Sequence, residues 1–137
     1  MSSEEILHYD MSGNGNHLYK KDASLPDSGS RTAFSTGAVR DAMQGKGVPS
    51  MIPTCAITAV AKRFEDGASK YGPDNWRKGI PTSRYCDAAY RHLMACRDGK
   101  VDEDHFGAVL WNMSCWLWTL HAIEEGKLPS ELDDILR

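Results

Sequence analysis

Side chains able to do chemistry crowd into one run of the sequence, KRFEDGASKYGPDNWRKG, at residues 62–79. A loop that only reversed the chain would need far less than these acids, bases, glycines, phenol, carboxamide and indole. Glu65, Asp66, Lys70 and Tyr71 come before Gly72-Pro73, and Asn75, Trp76, Arg77 and Lys78 come after it. Singly, each has an ordinary role: Lys70 complements the negative end of a helix, and Trp76 fills a core. Together, an amide, an indole and a phenol beside several cations are what a nucleotide requires: a stacking surface, a partner for a base edge and groups for phosphates. Gly67 and Gly72 would let backbone approach such a ligand closely.

Two more clusters carry chemistry. In DAAYRHL, Asp87 and Arg91 form an ordinary (i, i+4) surface pair, but Arg91 and His92 stand out on a helix of small and apolar residues. In DEDH…N, residues Asp102, Glu103, Asp104 and His105 precede Asn112. Three consecutive carboxylates exceed the needs of one helix N-cap, and a carboxylate cluster facing phosphates suits a hard cation, Mg²⁺ or Mn²⁺. His105 and Asn112, seven apart, share a helix face, with the small Ala108 between them.

The elements that must position these groups are helical. One helix is predicted from Thr54 to about Tyr71, with Ile57, Val60, Ala61, Phe64 and Ala68 on its apolar face and Gly72-Pro73 as its stop. A second starts after Pro81, with Thr82 or Ser83 as N-cap, and its stripe is Cys86, Ala89, Tyr90, Leu93 and Cys96 up to Gly99. A third takes Asp102 as N-cap and repeats Phe106, Val109, Leu110, Met113, Leu117, Leu120 and Ile123 until Gly126. Trp111, Cys115, Trp116 and Trp118 widen that stripe almost all the way round. A helix so apolar must be surrounded, so a homo-oligomer joined through residues 103–125 is expected. A short helix follows from Ser130, where SELD has capping spacing. No segment alternates apolar and polar residues convincingly. The expected fold is a small, mostly α bundle over residues 35–137, behind an irregular, flexible arm of residues 1–34 rich in Ser, Gly, Asn and Asp.

Composition narrows the function classes. With 41% apolar and 26% charged residues, the chain reads as one soluble globular domain. A net charge of −3 gives no argument for a nucleic-acid polymer as partner. Asn112, Ser114 and His121 interrupt the apolar run, which argues against a membrane span. MSSEEILHYD lacks the basic start of a signal peptide, so a cytoplasmic location is expected. None of the four cysteines forms a CxxC, and reduced thiols are the expectation.

The segments TGAVRD…GK…P…MIP, FEDGASKYGPDNWRKG and SRYCDAAYRHLMA…DGKVDEDHFGAVLWN together resemble a phage-encoded family, the N-terminal domain of dATP/dGTP diphosphohydrolases. The likeness covers about residues 36–125. It implies an all-α, MazG-like nucleotide pyrophosphohydrolase acting in the host cytoplasm. Such an enzyme cuts purine dNTPs to monophosphate and pyrophosphate with Mg²⁺ or Mn²⁺, remodelling the nucleotide pool. The MazG-like metal signature pairs Glu-x-x-Glu with Glu-x-x-Asp on helices. Here the one late Glu-x-x-Asp is Glu131 with Asp134, which is expected to be coincidental. The metal is therefore assigned to Glu65, Asp66, Glu103 and Asp104. Arg40, Lys46, Lys70 and Arg91 are assigned to phosphates, Tyr71, Asn75 and Trp76 to base or sugar, and Asn112 to the nucleotide. Glu103, His92 and His105 are the catalytic candidates, the histidines donating to phosphate oxygens or orienting water. Two other readings stand beside this one. One is a non-catalytic sponge that sequesters a signalling nucleotide of host defence; the other is a helical module whose tryptophan-rich helix binds a protein.

Overall fold

The computed structural model describes residues 29–135. Most of the expected N-terminal arm lies outside the described residues. The described residues divide into two units, the boundary falling between Val48 and Pro49.

In the first unit a short antiparallel hairpin pairs β1 (Arg31–Ala33) with β2 (Val39–Asp41). Arg31 faces Asp41, and their side chains form a 2.9 Å ion pair. Gly37 closes the turn with a φ of 87°, a value L-residues rarely adopt. The expectation that no strand would form is thus corrected. Three-residue strands on an exposed ribbon need no apolar alternation, so the periodicity that reveals longer strands is absent.

The second unit is three helices: α1 (Thr54–Tyr71), α2 (Thr82–Arg97) and α3 (His105–Glu124). Their boundaries follow from backbone chemistry. Pro53 and Pro81 stand immediately before α1 and α2, where a missing N–H costs nothing. Helices α2 and α3 end alike. Gly99 and Gly126 take left-handed φ values of 69° and 73°, and Lys100 and Lys127 donate back to the carbonyls of Ala95 and Ala122.

Neither Thr82 nor Ser83 caps its own helix, which corrects that expectation. Both hydroxyls turn to the chain's end instead. The Ser83 N–H and Oγ donate to Asp134 at 2.8 and 2.7 Å, and Thr82 Oγ1 donates to Asp133 at 3.3 Å. Asp134 therefore caps α2 from 51 residues away. Asp134, one member of the Glu131/Asp134 pair, is spent on this brace, and only a 3₁₀ turn, Ser130–Leu132, forms there.

In α1, Val60, Phe64 and Ala68 face inward as expected, but the face of α3 is turned from the one expected. Along α3, besides Gly107, the buried residues are His105, Ala108, Asn112, Cys115, Thr119 and Ala122, a regular 3–4 spacing of mostly small side chains. Phe106, Leu110, Met113 and Leu117 lie on the exposed side. In α2 the face is turned only in part: Ala89 is buried as expected, together with Thr82, Tyr85 and Ala95, while Tyr90 and Leu93 are exposed. Along α1 the inward positions are Ala56, Ala59, Val60, Arg63, Phe64, Gly67 and Ala68, and Ile57 points outward. Small residues let α3 lie close to both neighbours. A Cβ on Gly107 would come within 3.0 Å of the Ala59 carbonyl oxygen of α1 and closer still to Asp104.

Candidate active site

An aromatic wedge sets the floor of the site. The Trp76 ring packs edge-on against Phe64 and Trp118, with centroids 5.5 and 4.9 Å apart, and the Arg77 guanidinium covers it at 4.5 Å. Phe64 also meets Trp111, and Trp111 meets the buried Tyr85. This holds the 3₁₀ turn Asn75–Lys78 against α1 and α3, and a cavity of about 890 Å³ opens beside it.

The α1 wall of the cavity is a polar stripe, Lys62, Arg63, Asp66 and Lys70, on successive turns. Tyr71 and Asn75 continue it past the helix end. The opposite wall carries His92 from α2, Glu103 and Asp104 from the loop into α3, and Trp111 and Asn112 from α3. The run at residues 62–79 and the acidic start of α3 therefore converge on one hollow. Its volume lies within the range of about 300–1,000 Å³ usual for small-molecule sites.

At one end of the cavity a polar network ties the three helices together. His105 Nε2 lies 2.8 Å from Asp102 Oδ1, and His105 Nδ1 lies 2.9 Å from His92 Nδ1. Glu103 Oε1 is 3.6 Å from both Nδ1 atoms, and its other oxygen accepts from Arg63 Nη1 at 3.0 Å. The hydrogen bond from His105 holds the Asp102 carboxyl below the usual carboxylate range. Burial lowers His92, opposed by Glu103 and assisted by Arg63, His105 and Arg91.

Asp104, not Asp102, caps α3, its side chain accepting from the Gly107 N–H at 2.9 Å. Of the four carboxylates expected to hold a metal, Asp66, Glu103 and Asp104 line the cavity, and Glu65 is exposed and outside its lining. Among the described residues, the group of three side chains at metal-ligand spacing is His92, Glu103 and His105, whose donor atoms lie within 4.8 Å of one another. Lys70, Tyr71, Asn75, Trp76 and Asn112 line the cavity; Arg91 is exposed and does not. Asn112 is buried and donates to the Ala108 carbonyl. Arg40 and Lys46 belong to the first unit, Arg40 in β2 and Lys46 4.0 Å from Asp41.

Sequence reasoning passed over Lys62 and Arg63. Their signal was present: Lys62, Asp66 and Lys70 recur every four residues, on one helix face. It also took Asp102 as a cap rather than as the partner of His105.

Fold and site together define a small, mostly helical domain around a nucleotide-sized cavity rich in cations, carboxylates and aromatic rings. The sequence matches the family described as dATP/dGTP diphosphohydrolase, N-terminal, over residues 36–128, and the chain belongs to that family. No curated protein and no solved structure matches it. Among the described residues, no helix is long and apolar enough to cross a membrane.

Proposed function

We propose that the chain binds a purine deoxynucleoside triphosphate in this cavity and cleaves it between the α- and β-phosphates, yielding dAMP or dGMP and pyrophosphate. The observation that carries this reading is the convergence, on one hollow of about 890 Å³, of Lys62, Arg63 and Lys70 with Glu103 and exposed Tyr71. The family's description supplies the substrate class.

The parts divide naturally. Lys62, Arg63 and Lys70 neutralise the phosphates along α1. Tyr71, 67% exposed where it lines the cavity, offers its face to the base, and Asn75 offers an amide to a base edge. Trp76 is committed to Phe64, Trp118 and Arg77, so it shapes the wall rather than stacking on the ligand. The donor set of His92, Glu103 and His105 fits a divalent cation, Mn²⁺ better than Mg²⁺ because two donors are imidazoles. Such a cation, when bound, lowers the pKa of a water and offsets charge developing on phosphate oxygens. In the reading that fits best, the domain is MazG-like and works as a homo-oligomer joined through the exposed face of α3. A place in remodelling a phage's nucleotide pool follows from the same reading.

Incubation with each of the four dNTPs plus Mg²⁺ or Mn²⁺, with pyrophosphate as readout, tests the proposal. Release from dATP and dGTP is expected, reduced about a hundredfold or more in Glu103→Gln, the scale of losing one group that stabilises transition-state charge. Absence of turnover with every nucleotide and cation, or full activity of Glu103→Gln, would overturn it. Recovery of an intact nucleotide from a stable complex would instead favour the sequestering reading.

A further inference from the structure

The two histidines meet in an unusual way. His105 is the first residue of α3 and only 8% of its side chain is exposed. Its Nε2 faces the Asp102 carboxylate at 2.8 Å, so Nε2 carries the hydrogen and donates it. That leaves the Nδ1 lone pair directed inward, where it meets Nδ1 of His92 at 2.9 Å. Two imidazole nitrogens this close are bridged either by a hydrogen, His92 Nδ1–H donating to the His105 Nδ1 lone pair, or by a cation.

Glu103 favours the cation. Oε1 stands 3.6 Å from each nitrogen, beyond hydrogen-bonding distance to either. A triangle with sides of 2.9, 3.6 and 3.6 Å has a point about 2.0 Å from all three corners, the bond length of imidazole nitrogen and carboxylate oxygen to a divalent transition metal. Arg63 fixes the far oxygen of Glu103, and Asp102 fixes the His105 tautomer. A ligating histidine usually has such a carboxylate partner on its other nitrogen. His92 and Glu103 also line the cavity, so the remaining coordination positions face the space proposed for the phosphates.

We propose that His92, His105 and Glu103 form a three-ligand site for a transition-metal dication of the Mn²⁺–Zn²⁺ series, with Asp102 as its positioning residue. The site discriminates against Mg²⁺, which prefers an all-oxygen shell. Only its use in hydrolysis rests on the function proposed above; the binding does not.

The test is calorimetric titration of the chelator-stripped full chain with Mn²⁺, Zn²⁺, Co²⁺ and Mg²⁺, without nucleotide, together with the visible spectrum of the Co²⁺ form. One transition-metal ion per chain is expected, bound at least about a hundredfold more tightly than Mg²⁺. Co²⁺ bands should differ from those of the aqua ion. His92→Gln and Glu103→Gln should each abolish the selectivity, and Asp102→Asn should weaken binding about 10- to 100-fold. Unshifted melting of the metal-free variants serves as the folding control. Equal affinity for Mg²⁺, an aqua-like Co²⁺ spectrum, or full binding by folded His92→Gln would overturn the proposal. Nucleotide turnover with Mg²⁺ and no transition-metal binding would sink this inference and leave the proposed function standing. Selective binding without turnover of any dNTP would do the reverse.

Discussion

Two aromatic residues of one short run, Tyr71 and Trp76, do different physical work, and substitution separates them. Tyr71 is 67% exposed, so Tyr71→Ala is expected to leave melting nearly unchanged while raising KM for dATP or dGTP about tenfold, the scale of a lost base stack. Trp76 is held by Phe64, Trp118 and Arg77, so Trp76→Ala should cost about 3 kcal/mol in a denaturant titration, like other large-to-small aromatic changes. Equal effects of the two on stability would contradict the division. Arg63 gives a third contrast. Its pair with Glu103 is partly exposed, and such pairs contribute about 0–1 kcal/mol, so Arg63→Gln should fold almost normally. It should nevertheless bind the triphosphate more weakly, because a phosphate-facing cation is gone.

At the scale of the elements, α3 depends on closeness. Gly107→Ala would put a methyl group 3.0 Å from the Ala59 carbonyl, which is backbone and cannot rotate away. A loss of about 1–3 kcal/mol is expected, and a wild-type denaturation midpoint would show that α1 and α3 are not held so tightly. The Asp134 brace on α2 carries a pH signature. Hydrogen bonds from Ser83 lower its carboxyl below the usual range, so its contribution is present above that range and disappears as pH falls through the depressed value. Asp134→Asn should therefore melt lower than wild type at neutral pH, and the gap should close in acid. A gap independent of pH would rule the brace out. Helix bounds could be read from Pro53, Gly72, Pro81, Gly99 and Gly126, because prolines and glycines act through local backbone geometry. Helix faces could be read only in part, from Val60, Phe64 and Ala68 in α1 and Ala89 in α2, and in α3 they could not. Ranking α3 by its largest apolar side chains selects Phe106 and Leu117, whereas close packing selects Ala108, Cys115, Thr119 and Ala122. The His92–His105 pair was equally hidden, since it depends on how residues 98–104 return the chain from α2 to α3.

Across the helical unit, Phe106, Leu110, Met113 and Leu117 line one side of α3 at exposures of 70, 38, 48 and 58%. An apolar ridge of this length costs a solitary molecule solubility, which is why self-association through it belongs to the proposed function. A Leu110→Asp/Leu117→Asp variant is expected to sediment as a monomer where the natural chain sediments as a larger species; identical sedimentation would clear α3 of that role. The placement of the indoles has a practical consequence. Of the four tryptophans in the chain, Trp76 and Trp111 border the cavity. Their ultraviolet emission should respond when the cavity fills, by quenching or by a change of colour, so occupancy can be followed without attaching a dye. A substrate series could be ranked by this intrinsic glow before any product is assayed.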